Sequence, residues 1–193
     1  MSTTMIKICG VNDADFAVEA ERLGADYLGF IFAAESPRRV TAGFVVAARR
    51  QLRDDVRCVG VFTDATVPEI IVKSRVCGLK IVQLHRRASV KEVSVLRSAG
   101  LEVWTLAGGA DGDAVVFDSS HGDGETVVRR GPFKAVLAGG ISTANVGAAL
   151  ESGADVIDVS GSLESPRGVK SIERLREFFE AVKSVKGKAA GGC

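Results

Sequence analysis

The feature that most constrains the fold is an alternation of short apolar runs with helical patterns, repeated about eight times along the chain. Apolar runs bounded by glycine or polar residues predict buried strands. These runs span residues 5–9, 27–32, 57–62, 80–84, 101–106, 114–117, 135–138 and 155–159. Helical patterns lie between most of them and end near residues 23, 52, 76, 98, 151 and 183. Asn12 or Asp13 is the predicted cap of the first helix, and Thr41 that of the second.

This alternation predicts an α/β fold in which eight parallel strands close into a (β/α)8 TIM barrel. An open doubly wound sheet is the alternative, but no G-x-G-x-x-G pattern follows the first strand. Residues 107–113 are too few for a full helix, and residues 119–132 carry three glycines. We therefore expect the helices after strands five and six to be shortened or missing. The 193 residues suit one domain, 1–193, with a frayed tail from about residue 185.

Charge and cysteine usage exclude several classes of protein. The net charge of +1 leaves no excess of cations for a general nucleic-acid surface, although it allows a local anion site. The four cysteines form no C-x-x-C pair, so no zinc or redox motif is visible and a reducing, cytoplasmic setting is predicted. The first residues lack the pattern of a signal peptide, and no apolar run has the length of a membrane span.

Candidate site residues follow the predicted strands, and in a barrel they meet at one face. Cys9 ends the first strand, where a thiol can act as a thiolate base, although a lone cysteine is also an ordinary buried residue. Asp118 ends the apolar sixth strand, which favours a protonated carboxyl suited to a general acid; a cap or turn residue is the alternative. Arg38 can bind a substrate carboxylate or be solvated. His85 can orient a substrate or end its strand.

Two glycine-containing loops predict a phosphate site. Gly139 and Gly140 follow the seventh strand, and Ser160 and Gly161 follow the eighth. Glycine lets backbone N–H groups approach an anion, and a following helix N-terminus favours its charge. The loops after strands seven and eight are the usual phosphate site of such barrels, although tight strand-to-helix turns would give the same pattern.

Lys7 lies on the same side of the first strand as Cys9, because side chains alternate along a strand. Asp158, in the eighth strand, would be its neighbour in a closed barrel. A buried charge needs a partner, so we predict that Lys7 pairs with Asp158 inside the barrel. The positive potential that remains is expected to favour the Cys9 thiolate.

An ordered set of motifs resembles the phosphoribosylanthranilate isomerase family of tryptophan biosynthesis. The matching segments run nearly end to end: 7–10 (KICG), 24–32 (GADYLGFIF), 36–38 (SPR), 59–62 (VGVF), 82–85 (VQLH), 117–119 (FDS), 137–140 (LAGG) and 158–160 (DVS), with Glu164. Each piece alone is weak, and the ordered set is specific.

The resemblance implies an Amadori rearrangement of N-(5-phosphoribosyl)anthranilate, a small phosphoribosyl substrate, without metal or cofactor. It implies that Cys9 is the general base at sugar C2, that Asp118 is the general acid at the ring oxygen, and that Arg38 contacts the anthranilate moiety. The loop at residues 121–127 (HGDGETV) and the phosphate loop at 160–164 (SGSLE) depart from the family pattern. Those departures affect loop closure and substrate affinity more than the type of reaction. The oligomeric state is left open between monomer and homodimer.

Two other functions compete with this one. A related phosphosugar aldose–ketose isomerase of histidine biosynthesis would have a carboxylate base on the first strand, where this chain has Cys9. A decayed barrel that binds phosphate without activity is consistent with the shortened loops, but the chain retains both Cys9 and Asp118.

Overall fold

In a computed structural model of the protein, which describes residues 4–119 and 128–190, eight parallel strands form a closed barrel in sequential order. The strands are β1 (Met5–Cys9), β2 (Tyr27–Ile31), β3 (Arg57–Phe62), β4 (Ile81–Leu84), β5 (Glu102–Leu106), β6 (Ala114–Asp118), β7 (Lys134–Ala138) and β8 (Val156–Val159). The helices are α1 (Ala14–Leu23), α2 (Ala42–Arg49), α3 (Val67–Cys77), α4 (Val90–Ser98), α5 (Val146–Glu151) and α6 (Ile172–Ala190). β1 pairs with β8, which confirms the predicted barrel and excludes the open sheet.

Local hydrogen bonds explain where the helices begin. The Asp13 side chain accepts from the N–H of Phe16, and the Thr41 side chain accepts from the N–H of Phe44. α3 and α4 begin with capping boxes in which a hydroxyl residue and a glutamate satisfy each other's backbone N–H groups. The apolar faces of the helices cover the outward side chains of the strands. None of the helices within the described residues combines the length and apolarity that a bilayer crossing requires.

The barrel interior is built in levels, because inward side chains from alternate strands lie side by side. The strand registers define three levels that matter for the site. The Lys7 level contains Lys7, Val59, Trp104 and Val136. Above it, toward the carboxyl ends of the strands, the Gly29 level contains Gly29, Gln83, Val116 and Asp158. The Cys9 level, the next one up, contains Cys9, Val61, Leu106 and Ala138.

The chain departs from eight regular β/α units where the sequence predicts it. Residues 107–113, between β5 and β6, form turns and no helix. The segment after β6 is described only at residue 119 and from residue 128, so the departing loop at 121–127 lies outside the described residues. α5 begins only at Val146, because residues 143–145 form a turn. α6 continues to Ala190, past the end predicted near residue 183, and Cys193 lies outside the described residues.

Candidate active site

One cavity of about 490 Å³ opens at the carboxyl ends of the strands. All eight residues predicted for the site line it: Cys9, Arg38, His85, Asp118, Gly139, Gly140, Ser160 and Gly161. Strand order explains this convergence, since the carboxyl ends of parallel strands all lie at the same face of the barrel. The loops after β7 and β8 lie on the rim between the strand of Asp118 and the strand of Cys9.

Cys9 is the last residue of β1 and is 7% exposed where it lines the cavity. Lys7 lies in the level below that of Asp158. Its Nζ atom lies 2.5 Å from Asp158 Oδ2, and the ammonium is fully buried. The predicted ion pair is therefore confirmed. Burial alone would lower the pKa of Lys7, but the neighbouring Asp158 carboxylate raises it above its ordinary value.

The predicted effect of this pair on Cys9 is only partly correct. Burial raises the pKa of the Cys9 thiol above its ordinary value, and this effect exceeds the lowering by the charge of Lys7. Asp158 also raises this pKa, while Lys170 lowers it. Lys7 thus favours the thiolate, as expected, but desolvation by the barrel outweighs it and keeps Cys9 predominantly a thiol at neutral pH.

Asp118 and His85 face each other across the top of the cavity. The His85 Nε2 atom lies 3.6 Å from Asp118 Oδ2. On the other side of the ring, the side-chain amide nitrogen of Gln83 lies 3.4 Å from His85 Nδ1. A Gln83 N–H that donates to Nδ1 favours the tautomer with its proton on Nε2, which is directed at the carboxyl of Asp118.

Arg38 lines the cavity but is held from behind by Glu164. Its Nε donates to Glu164 Oε1, and its Nη2 donates to Oε2 over 2.9 Å. Lys170, whose side chain is fully buried, donates to Glu164 Oε1 over 3.1 Å and to the carbonyl of Ser160 over 2.9 Å. Burial raises the pKa of Glu164, but the hydrogen bonds from Arg38 and from the Gly168 N–H, with the charge of Lys170, bring it down to about 2.

The two predicted phosphate loops are tied together. Ser162 donates to the carbonyl of Ile141 over 2.6 Å, which joins the loop after β8 to the loop after β7. Ser160 donates to the Cys9 carbonyl over 3.1 Å, which joins the same loop to β1. The expected helix N-terminus is absent from the first loop, because α5 begins six residues beyond Gly140 and is shorter than two full turns. Backbone N–H groups alone remain there for an anion.

Sequence reasoning missed three residues that shape the cavity or its wall. Gln83 lines the cavity two residues before His85, and the alternation of side chains along β4 would have found it. Lys170 lies in an irregular segment whose pattern carried no signal. Glu164 appeared only as part of a family motif, and its contact with Arg38 spans 126 positions of sequence.

The fold and the cavity define the class: a (β/α)8 barrel with a candidate acid–base site at the carboxyl ends of its strands. The family model for N-(5'-phosphoribosyl)anthranilate (PRA) isomerase matches residues 6–181. The chain therefore belongs to the N-(5'-phosphoribosyl)anthranilate isomerase family.

Individual relatives agree with this membership. The chain is 32% identical to an N-(5'-phosphoribosyl)anthranilate isomerase of Bacillus cereus, over 90% of this chain and 95% of the relative. The crystal structure of phosphoribosyl anthranilate isomerase from Thermus thermophilus matches with a TM-score of 0.82 and 27% identity, over 94% of this chain and all of that one. A phosphoribosyl anthranilate isomerase in complex with reduced 1-(o-carboxyphenylamino)-1-deoxyribulose 5-phosphate has the same fold, with a TM-score of 0.79 and 22% identity over 95% of this chain and 99% of that one.

Proposed function

We propose that the protein isomerises N-(5-phosphoribosyl)anthranilate to 1-(2-carboxyphenylamino)-1-deoxyribulose 5-phosphate by an Amadori rearrangement. The observation that carries this proposal is the common cavity of Cys9 and Asp118 in a chain of this family. The reaction needs an acid at the ring oxygen and a base at the neighbouring carbon, with both ends of a small anionic substrate anchored.

The anchors are assigned from charge. The phosphate binds the backbone N–H groups of the loops after β7 and β8, at Gly139, Gly140, Ser160 and Gly161. The anthranilate carboxylate binds Arg38, whose Nε and Nη2 are engaged by Glu164, so the substrate meets the Nη1 side of the guanidinium. His85 orients the substrate beside Asp118. Glu164 and Lys170 fix the direction of Arg38 from outside the cavity.

The chemical steps use one acid and one base. Asp118 protonates the furanose ring oxygen, the C1–O bond breaks, and the substrate nitrogen supplies the electron pair that forms an iminium ion. The thiolate form of Cys9, the minor form at neutral pH, then removes the proton from C2, and the electron pair of that C–H bond neutralises the iminium to give an enolamine. Tautomerisation gives the ketone. The iminium is the electron sink, so the reaction itself requires no metal or redox cofactor. Each positioned acid or base contributes roughly 10²- to 10⁴-fold.

Turnover of the adduct formed from anthranilate and ribose 5-phosphate, followed by the loss of anthranilate-type fluorescence, tests the proposal. Asp118→Asn is expected to lower kcat by about 100-fold or more while leaving the free energy of unfolding nearly unchanged, because the amide cannot donate the acid proton. Cys9→Ser is expected to lose activity as well, since an alcohol is a far weaker acid than a thiol.

Asp64→Asn is the matched control, because Asp64 is exposed in the loop after β3, outside the cavity. Its turnover should equal that of the wild type. A wild-type protein without turnover would favour the decayed phosphate-binding barrel, and full activity of Asp118→Asn would remove Asp118 as the acid. We also propose a cytoplasmic location, which the free thiols of Cys9, Cys58 and Cys77 support.

A further inference from the structure

Two buried oxygen atoms at the floor of the cavity have no hydrogen-bond partner among the described residues. They are Gln83 Oε1 and Asp158 Oδ1. Gln83 is 2% exposed and Asp158 is 7% exposed, and both residues line the cavity. A buried acceptor without a donor is unfavourable, so two of them at the floor of one cavity indicate a ligand whose donors would complete them.

The other polar atoms of both side chains are already engaged. Asp158 Oδ2 accepts from Lys7, and the amide nitrogen of Gln83 lies 3.4 Å from His85 Nδ1. These contacts orient each side chain and leave the two oxygen atoms, which are acceptors, without a donor. A phosphate or a carboxylate, which itself offers acceptors, does not fit them. Hydroxyl groups do.

The barrel geometry gives both acceptors access to one small molecule. Gln83 and Asp158 belong to the Gly29 level and come from β4 and β8, which stand opposite each other in the ring. Gly29 contributes no side chain to this level, and the Cys9 thiol takes the space beside it. Both acceptor residues line the same cavity, so two neighbouring hydroxyls of one bound carbon chain can face them from below Cys9.

We propose that Asp158 and Gln83 form a hydroxyl subsite, in which Asp158 Oδ1 accepts from the C2 hydroxyl and Gln83 Oε1 from the C3 hydroxyl of the ribosyl chain. This assignment rests on the proposed function, because it takes Cys9 to face C2. β8 lies beside β1, so the C2 hydroxyl of a substrate held at Cys9 is nearest to Asp158. The subsite discriminates between sugars, since a ligand that lacks a hydroxyl leaves a buried acceptor unpaired.

Calorimetric binding of two ligands tests the subsite without requiring turnover. The ligands are reduced 1-(o-carboxyphenylamino)-1-deoxyribulose 5-phosphate and its 3-deoxy analogue. The wild type is expected to bind the 3-deoxy analogue about 10- to 100-fold more weakly. In Gln83→Met, which keeps the side-chain length without the acceptor, the two ligands should bind within about twofold of each other. Val116→Ala, at the same level, changes packing but no hydrogen bond, and should retain the wild-type difference.

The C2 contact is tested with the 2-deoxy analogue and the double variant Lys7→Met/Asp158→Leu, which removes the ion pair without leaving a charge behind. Its preference for the C2 hydroxyl should disappear. Equal binding of the deoxy and parent ligands by the wild type would overturn the subsite, whatever the variants do. A difference that persists in full in Gln83→Met would overturn the role of Gln83.

Parallel turnover measurements separate this proposal from the proposed function. Hydroxyl discrimination without turnover would keep the subsite and remove the isomerase. Turnover without discrimination would keep the isomerase and remove the subsite.

Discussion

At the scale of the residue, the central fact is a lysine in the middle of the barrel. Lys7 is fully buried and has Asp158 as its ion-pair partner. Both charges shift the pKa of Cys9, which lies nearer the carboxyl ends of the strands. Lys7 lowers the pKa of the thiol more than Asp158 raises it, while burial exceeds both effects. Lys7 therefore favours ionisation of the Cys9 thiol, while burial opposes it.

Replacement of Lys7 is predicted to move the titration of Cys9 to higher pH. Lys7→Met removes the favourable charge but keeps the opposing Asp158, so the thiol pKa should rise furthest in this variant. In Lys7→Met/Asp158→Leu both effects are absent, and the pKa should lie between that of Lys7→Met and that of the wild type. Thiolate absorbance in the ultraviolet, as the difference from a matched Cys9→Ser protein, measures it. The same pKa in all three proteins would contradict this order.

The same pair is predicted to dominate local stability. Lys7→Met leaves the Asp158 carboxylate buried and unpaired, which is expected to cost about 3–5 kcal/mol in the free energy of unfolding. Replacing both residues with apolar ones should recover most of this loss. Denaturant unfolding at neutral pH measures both values. A double variant no more stable than Lys7→Met would show that the barrel needs the pair for packing rather than for charge.

At the scale of the element, β1 and β2 approach each other where Gly29 faces Cys9 in the strand register. A Cβ atom on Gly29 would lie 2.8 Å from Cys9 Sγ and 3.2 Å from its Cα. The missing side chain leaves the space that the thiol occupies. β2 thus helps to aim Cys9 into the cavity.

Gly29→Ala is therefore predicted to displace the thiol and to lower turnover by about tenfold or more, with a loss of roughly 1–3 kcal/mol in stability from overpacking. Gly43→Ala is the control, because a Cβ there meets only Thr41 Oγ1, at 3.9 Å. That change lies in α2 and should leave turnover intact while slightly raising stability. Steady-state kinetics and thermal unfolding of both variants decide the matter, and an active Gly29→Ala protein would disprove the steric role of Gly29.

A second contact between elements is made by Glu164, which follows β8. It forms ion pairs with Arg38, which follows β2, and with Lys170. The pKa of Glu164 is about 2 in the folded protein, below its ordinary value of 4.5. A lowered folded-state pKa stabilises the fold above the unfolded-state pKa, and this contribution is lost as pH falls through the folded-state value. The stabilisation amounts to at most about 3 kcal/mol.

Glu164→Gln is thus predicted to destabilise the protein most at neutral pH, and the difference from the wild type should shrink between pH 4.5 and pH 2. Denaturant unfolding across this range measures the difference. Glu69→Gln, at the exposed cap of α3, is the control for a carboxylate whose pKa is also lowered, in this case by hydrogen bonds from Thr66. A difference for Glu164→Gln that is constant with pH would contradict the linkage.

At the scale of the whole molecule, the ring of strands is closed but its outer cover is uneven. The outward side chains Val115, Phe117 and Ala135 of β6 and β7 form a small separate cluster. Among the residues that the structure describes, loop residues such as Ala107 and Phe133 pack against it, and no helix does. The apolar faces of α1, α2, α3 and α6 instead join one large cluster with the other strands.

Hydrogen exchange is therefore predicted to be faster on the β6–β7 side, because fewer apolar contacts must break for local opening there. Peptides that cover β6 and β7 should lose protection before those that cover β1, β2 and β3. Mass spectrometry of exchange under native conditions measures this order. Uniform protection around the ring would mean that the closed strand ladder, rather than the outer cover, sets local stability.

The sequence by itself determined the alternation of elements, and with it the barrel and the face on which the site lies. Site residues at strand ends, such as Cys9, His85 and Asp118, could be predicted from the sequence, because side-chain alternation and parallel strand order are local rules. Even the Lys7–Asp158 pair followed, because closure makes β1 and β8 neighbours.

Only the tertiary structure decided what the neighbours of these residues do. Loop conformation decides three features: the ion pair of Glu164 with Arg38, the burial of Lys170 and the late start of α5. Residue patterns specify loop conformation poorly. The rise in the pKa of Cys9 depends on how completely the barrel excludes water, a property of three-dimensional packing that no spacing of residues records.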